Sequence, residues 1–267
     1  MDELYKKLTV YRNTPQATGI FCDLDGTLSK IAAKPEKAVI TREMKSALKN
    51  LSMKYGVVAV ITGRDAANAK TMIGLDNLIY VGNHGLERID NVSHTLIPEA
   101  ENYVRISEEV ASELLRLSSG EGVTIEKKRI GVAIHYRLAE NKAEAYRQVR
   151  KLAGSMAEKY SLRIYEGRNV VEIKPDLKYD KGDAVRDIAE EQELNRAIYF
   201  GDDITDIDAF KELKRMRGEG WIDATCVAVS SNEIDPAVAG EADYLVGGVD
   251  DVQTILEWMS GKALETP

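Results

Sequence analysis

The chain has 267 residues, 44% of them hydrophobic, enough to bury a sizeable core in one large domain or two modest ones. Its formal charge is −8 and its pI about 5.2, which excludes the basic footprint of a nucleic-acid binder; an anionic ligand would need local help from a metal cation or clustered Lys and Arg. Cys22 and Cys226 sit in short apolar runs and supply neither a disulfide framework nor zinc-ligand spacing. No apolar run reaches membrane-spanning length, so no membrane partner is expected. The opening MDELYKKLTVYRNTPQ lacks the apolar core of a secretion signal, and the expected location is the cytoplasm.

In chain order, GIFCDL at 19–24 is an apolar run ending on acidic residues, which predicts a buried parallel strand. TREMKSALKNLSMKY at 41–55 opens on a Thr cap and carries Met44, Leu48 and Leu51 at helical spacing. A second strand is predicted at 56–61, then the turn Thr62-Gly63-Arg64, a short helix around 65–73 and a third strand at 78–81. Strands alternating with helices argue for a parallel α/β sheet.

The pattern then changes. A helix is predicted over 99–117, two strands at 122–127 and 130–137, a helix over 139–160, and a second strand pair at 161–166 and 169–174 across Gly167. That order, α-β-β-α-β-β, describes an α+β module whose antiparallel pairs do not belong to the flanking parallel sheet. After Pro175 the first pattern resumes: a helix at 181–192, a strand at 196–200, a helix at 206–216, strands in TCVAVS and DYLV, and a closing helix at 249–259. The expected fold is α/β, a Rossmann-like parallel-sheet core of residues 1–83 and 176–267 with an inserted α+β cap domain at 84–175. The insert carries 15 Lys and Arg against 14 Asp and Glu, whereas the remainder has 21 against 30. The insert is therefore the half better suited to approach an anion, although charge noise explains the same difference.

Chemistry concentrates at predicted strand ends. Asp23-Leu24-Asp25-Gly26-Thr27 directly follows the first strand, and ligand sites of open parallel sheets lie at the carboxyl ends of strands. One carboxylate can attack phosphorus if a cation screens the repulsion between two anions, and a second can protonate the leaving oxygen. Gly26 suits a sharp turn and Thr27 can donate to phosphate; a surface turn or calcium-loop fragment is the plain alternative. Gly201-Asp202-Asp203-Ile204-Thr205-Asp206 follows another apolar strand and places three acids in five residues, a plausible magnesium site or an Asp-rich helix start. Thr62 and Gly63 offer a hydroxyl and backbone N–H groups to a phosphate, and Lys181 opens a helix where the chain re-enters the core. His84 lies at the junction between core and insert, where it either contacts substrate or satisfies a loop; His94 reads as loop surface, and His135 alternates with apolar residues in a strand.

These four motifs, in this order, resemble the haloacid dehalogenase superfamily of phosphatases, and the insert between the second and third matches its type-2 caps. The phrases FCDLDGTLS, VITGR, NHGLE, AIHYR, EGRNVVEIKP, KGDAV and YFGDDITDIDAF, spread from residue 19 to about 247, are similar to the trehalose-6-phosphate phosphatase family. The chain departs from that family at Ile207, where an acidic residue is usual, and at Lys30, where Pro is usual. The resemblance implies magnesium held by Asp23, the backbone carbonyl of Asp25 and Asp202, with Asp203 and Asp206 as direct or water-mediated partners. It implies Asp23 as nucleophile, Asp25 as general acid and base, and Thr62, Gly63, Lys181, Gly26 and Thr27 around the phosphate. It further implies a cap that closes over the sugar, with Glu126, Lys128, Arg137, Glu166, Arg168 and His84 as substrate contacts. Residues i and i+2 of a strand share a face, so each pair Glu126/Lys128 and Glu166/Arg168 can point together, although solvated cross-strand ion pairs follow the same spacing. The expected substrate is a small sugar phosphate, foremost trehalose 6-phosphate, hydrolysed through an aspartyl-phosphate. Sucrose-phosphate, glucosylglycerol-phosphate and mannosyl-phosphoglycerate phosphatases, a phosphomannomutase, and a non-catalytic sugar-phosphate binder remain alternatives.

Overall fold

The computed structural model describes residues 2–32, 37–117, 121–167, 169–230 and 235–263. They form two compact units, one of residues 1–95 with 179–267 and one of residues 96–178.

The larger unit begins with α1 (Asp2–Asn13), a helix that periodicity did not announce. Its charged residues fill the outer face, while Leu4, Leu8 and Tyr11 form a buried stripe at helical spacing. Then come β1 (Thr18–Cys22), α2 (Arg42–Ser52), β2 (Val57–Ile61), α3 (Ala66–Ile73), β3 (Ile79–Gly82), β4 (Glu87–Ile89) and β5 (His94–Leu96). Helix α2 starts where the sequence places its cap: the Thr41 side chain accepts a hydrogen bond from Met44 N at 3.0 Å. The smaller unit holds α4 (Pro98–Leu117), β6 (Thr124–Lys128), β7 (Gly131–His135), α5 (Lys142–Tyr160), β8 (Leu162–Gly167) and β9 (Val170–Pro175). The chain returns to the larger unit with α6 (Lys181–Glu191), β10 (Arg196–Gly201), α7 (Asp206–Gly218), β11 (Asp223–Val229), α8 (Pro236–Glu241), β12 (Tyr244–Val246) and α9 (Val249–Ser260).

The large sheet has the order β12-β11-β10-β1-β2-β3-β4-β5. It is parallel from β12 to β3, and β3 pairs antiparallel with β4. Strand β1 is buried along its whole length because helices cover both faces, which is why its sequence is a continuous apolar run. Ile20, Cys22, Val58, Val60, Ile198 and Phe200 face α1, α2, α3 and α9; Phe21, Ala59, Ile61, Ala197 and Tyr199 face α6, α7 and α8. The chain winds outward from β1 through β2 and β3, then resumes on the other side at β10. The switch point between β1 and β10 is where this architecture opens a crevice at the strand carboxyl ends. Residues 84–95, expected with the insert, lie in the larger unit, where β4 and β5 extend its sheet. These strands are three residues each, too short to carry a period-two signal.

The smaller unit is a four-stranded antiparallel sheet, β6-β7-β9-β8, with α4 and α5 packed on one face. Val132, Ile134, Val171 and Ile173 bury against Val110 and Leu114 of α4 and Val149, Ala153 and Met156 of α5. No helix among the described residues is long and apolar enough to cross a membrane.

Candidate active site

The carboxyl ends of β1 and β10 carry the two acidic motifs. Asp23 follows β1 directly, and its N–H donates to Phe200 O at 2.8 Å, extending the β1–β10 ladder by one residue. Beyond it the chain turns back sharply, with Gly26 N donating to Ser29 O at 2.7 Å and Leu28 N to Leu24 O at 3.0 Å. Gly26 has φ +94°, and a methyl group on it would collide with the Asp202 carboxylate. Only glycine permits both the turn and this close approach of the two loops.

Lys181 ties the acids together. Its Nζ lies 2.7 Å from Asp23 Oδ1 and 2.7 Å from Asp206 Oδ1, and all three side chains are buried. A cation in the first turn of a helix opposes the helix dipole, so its place there is explained by the two carboxylates. Asp180 secures that helix start, accepting from Gly182 N and Asp183 N while Asp183 accepts from Asp180 N. Gly182 allows the start of α6 to press against the Asp208 carbonyl.

Asp206 is a scaffold. Oδ1 accepts from Lys181 and from Tyr199 Oη at 2.8 Å; Oδ2 accepts from Asp202 N at 3.0 Å and Asp203 N at 2.9 Å. Four donors fill its acceptor capacity. It therefore shapes the loop that presents Asp202, although it stands in the same group of carboxylates, Asp23, Asp202 and Asp206, whose oxygens lie within 4.8 Å of one another. Asp203 is exposed and bonds the N–H of Ile204 at 2.8 Å; it is not in the group.

Three buried carboxylates face one ammonium. Burial raises the Asp23 pKa well above the usual carboxylate range; Lys181 pulls it back, and the charges of Asp206 and Asp202 push it further up. Burial, then the charges of Asp206 and Asp203, lift Asp202 to about 7 against the bond from Thr27. Burial alone would lower Lys181, but Asp23 and Asp206 outweigh it and raise its pKa, so the ammonium stays charged. The cluster is short of positive charge, and its donors are hard oxygens. Asp23 and Asp202 thus fit a hard divalent cation.

Thr27 gives its hydroxyl to Asp202 Oδ1 at 3.3 Å in this structure. Thr62, buried at the end of β2, accepts from Arg64 N at 3.2 Å. The imidazole of His84 lies over Gly63, where any Cβ would sit 2.6 Å from His84 Cε1. His84 itself is held by its N–H to Thr62 O at 3.0 Å, within the larger unit. Sequence reasoning passed over Arg64, which clasps Asp25 through Nε–Oδ2 at 2.6 Å and a second nitrogen to Oδ1 at 2.7 Å. The VITGR phrase contained that arginine, but nothing linear joins residues 39 positions apart.

In the smaller unit the pairing register sorts the remaining residues. Glu126 stands opposite Ala133, Ala133 opposite Glu172, and Glu172 opposite Tyr165. Glu126, Lys128, His135, Glu172 and Lys174 thus share the face away from the helices. Glu172 bonds Lys128 and Lys174, each at 2.8 Å, and these cations outweigh burial to bring it down to about 2. His135 bonds Glu126 at 2.8 Å. Glu166 falls on the opposite face, bonded to Arg150 Nε at 2.7 Å and Tyr146 Oη at 2.9 Å of α5. Glu126 and Glu166, both expected among the substrate contacts, thus lie on opposite faces of this sheet: strand alternation sets Glu126 with Lys128 and Glu172, and Glu166 toward α5. Arg137 follows β7, half-buried, and Arg168 lies outside the described residues.

A buried carboxylate after β1, a hydroxyl after β2, a buried lysine and an acidic loop after β10 on a doubly wound sheet define the haloacid dehalogenase class of α/β fold. A haloacid dehalogenase-like hydrolase from Bacteroides thetaiotaomicron has the same fold, with TM-score 0.61 and 14% identity over 91% of this chain and 99% of that one. A trehalose-6-phosphate phosphatase related protein superposes with TM-score 0.73 and 22% identity, over 91% and 96% of the two chains. The family model described as Trehalose-phosphatase matches residues 21–239. A trehalose-phosphate phosphatase from Mycobacterium ulcerans is 38% identical over 199 residues, 72% of this chain and 50% of that protein. The chain belongs to the trehalose-phosphatase family, and it spans about half the length of the first curated relatives it matches.

Proposed function

We propose that the chain is a magnesium-dependent phosphatase that hydrolyses a sugar phosphate, trehalose 6-phosphate foremost, through a phosphoryl group carried on Asp23, and that it works in the cytoplasm. The observation that carries this reading is the buried Asp23 carboxylate, held on Lys181 beside Asp202 at the mouth of β1. Family membership supports the substrate class.

Magnesium, held by Asp23, Asp202 and the Asp25 carbonyl, would supply the positive charge that lets one anion approach another. Asp206 keeps Lys181 and the Asp202 loop in place, and Asp203 acts at most through water. An Asp23 carboxylate oxygen attacks phosphorus in line, the P–O bond to the sugar breaks, and Asp25 gives its proton to the departing oxygen. Asp25 then takes a proton from water as that water attacks the acyl-phosphate, releasing phosphate and restoring Asp23. Thr62 and Lys181 hold phosphoryl oxygens, with Gly63 offering its N–H, and positioning with charge neutralisation supplies most of the acceleration.

We assign sugar recognition to the inserted unit, through Glu126 and Lys128, with Glu172 orienting Lys128 and Arg137 as a further contact. Charged groups bind sugar hydroxyls far better than an apolar wall does. The test is phosphate release over a panel of sugar phosphates with magnesium, alongside analysis of the recovered sugar. Release from trehalose 6-phosphate above the other sugars is expected. Isomerised sugar phosphate without free phosphate would make the chain a mutase, and turnover of nothing in the panel would overturn the enzyme reading.

A further inference from the structure

Glu87 is a buried carboxylate that the mechanism above does not use. Its side chain is 1% exposed at the start of β4. Oε2 accepts from Ala66 N at 2.9 Å, the first residue of α3, and from Asn83 Nδ2 at 3.0 Å. Oε1 lies 2.6 Å from His94 Nε2 of β5. Burying a charge is costly unless donors surround it, so this one is held for what it ties together.

It ties together two turns. One is Thr62–Arg64, which ends β2 and leads into α3. The other is Asn83–Gly85, where Asn83 and His84 are consecutive non-glycine residues with φ +51° and +59°. Left-handed backbone at two successive such residues is strained and persists only where the surroundings enforce it. Here Asn83 N donates to Arg64 O at 2.8 Å and His84 N to Thr62 O at 3.0 Å, while Asn83 Nδ2 also bonds Asp65 Oδ1 at 3.0 Å. Glu87 joins the second turn, through Asn83, to the helix start that follows the first. Arg64, at the end of this chain of bonds, holds both oxygens of Asp25.

We propose that Glu87 is a positioning residue that locks these two turns together and thereby sets the orientation of Asp25 through Arg64. The inference rests on the phosphatase reading. Its signature is selective in the first step, release of the alcohol, because a misplaced Asp25 harms protonation of the leaving oxygen more than it harms attack on phosphorus; the later attack of water on the acyl-phosphate is common to all substrates. A poor leaving group should suffer, and a good one should not.

The experiment uses the full chain with magnesium, wild type against Glu87→Gln and Glu87→Ala, on phenyl phosphate and p-nitrophenyl phosphate. Neither ester carries a sugar, so the result is independent of the trehalose assignment. Both variants should lower the single-turnover rate of phenol release from phenyl phosphate about tenfold or more, change that of p-nitrophenol release less than about threefold, and leave KM for each ester within about threefold. Hydrogen exchange at the Ala66 and His84 amides should quicken in the same variants. Equal losses on the two esters, or losses that disappear when the assay is cooled below the onset of melting, would mean a structural role only and overturn the proposal. Wild-type rates in Glu87→Gln would overturn it as well. If wild type releases phosphate from neither ester nor from any sugar phosphate of the panel, the phosphatase reading itself fails, which is a distinct outcome.

Discussion

Arg64 grips Asp25 by two parallel hydrogen bonds, 2.6 and 2.7 Å long, with only 16% of the arginine side chain exposed. A planar guanidinium fork fixes both position and angle of a carboxylate, which an ammonium on a flexible stem does not. Arg64→Lys should therefore cost nearly as much as Arg64→Ala. We expect both to lose about ten- to a hundredfold in kcat on a sugar phosphate with folding intact. Steady-state kinetics with a thermal melt check this, and full activity in Arg64→Lys would reduce the arginine to a charge.

Asp23→Asn should abolish turnover, by about a thousandfold or more, as loss of a covalent nucleophile does. The same change removes a buried charge whose ionisation the surroundings disfavour. Without metal, then, the variant should melt no lower than wild type at neutral pH, with Lys181 still paired to Asp206. Near-normal phosphate release by Asp23→Asn would end the aspartyl-phosphate mechanism.

Asp202 gives a pH dependence with a definite sign. Its carboxyl sits at about 7 in the folded chain against an ordinary 3.8, so the folded state binds that proton more tightly than the unfolded state. The resulting stability is complete below about 4 and is lost as pH rises through about 7. In chelator, the melting temperature of wild type should fall more between pH 6 and 8 than that of Asp202→Asn. Magnesium should raise the wild-type melt, more at pH 8 than at pH 6, because protons compete for the same oxygen. Activity should vanish in chelator and return poorly with calcium, whose looser shell misplaces the attacking carboxylate. Parallel melting curves for the two proteins would remove Asp202 from the metal site.

The inserted unit separates two kinds of glutamate. Glu126→Ala, Lys128→Ala or Arg137→Ala should cut kcat/KM for trehalose 6-phosphate about ten- to a hundredfold, the cost of a charged hydrogen bond. The same changes should spare p-nitrophenyl phosphate, which has no sugar hydroxyls. Glu166→Ala, on the helix-covered face with Arg150 and Tyr146, should affect both substrates alike and slightly. Equal losses on both substrates in the first three variants would take the sugar site elsewhere.

Much of the molecule was legible in one dimension. Strands β1, β2 and β10 of the large sheet are buried along nearly their whole length, so each stands out as an apolar run with an acid or hydroxyl just beyond its end. Such runs place Asp23, Thr62 and Asp202 at strand mouths without any coordinates. Lys181 and the α-β-β-α-β-β insert were readable for the same reason, since helical and strand periods are local properties. Helix α1 was not, because its stripe of Leu4, Leu8 and Tyr11 is narrow among charges, and β4 and β5 were too short to show a period.

By itself the sequence determined the order of the longer elements, the interruption of the core, and which acids lie at which strand ends, because period and strand-end position depend only on near neighbours. Tertiary structure alone decided the partnerships. Arg64 reaches Asp25, Lys181 reaches both Asp23 and Asp206, and Thr27 turns to Asp202, across 39, 158, 25 and 175 positions of chain. It also decided faces: antiparallel register sets Glu172 beside Lys128 and sends Glu166 to the helices, and a shift of one residue would reverse that choice. Glu87 illustrates the same limit, since a glutamate in a short polar stretch acquires a role only when folding buries it among Ala66, Asn83 and His94. Directional bonds between distant residues arise from packing, and no local periodicity encodes them.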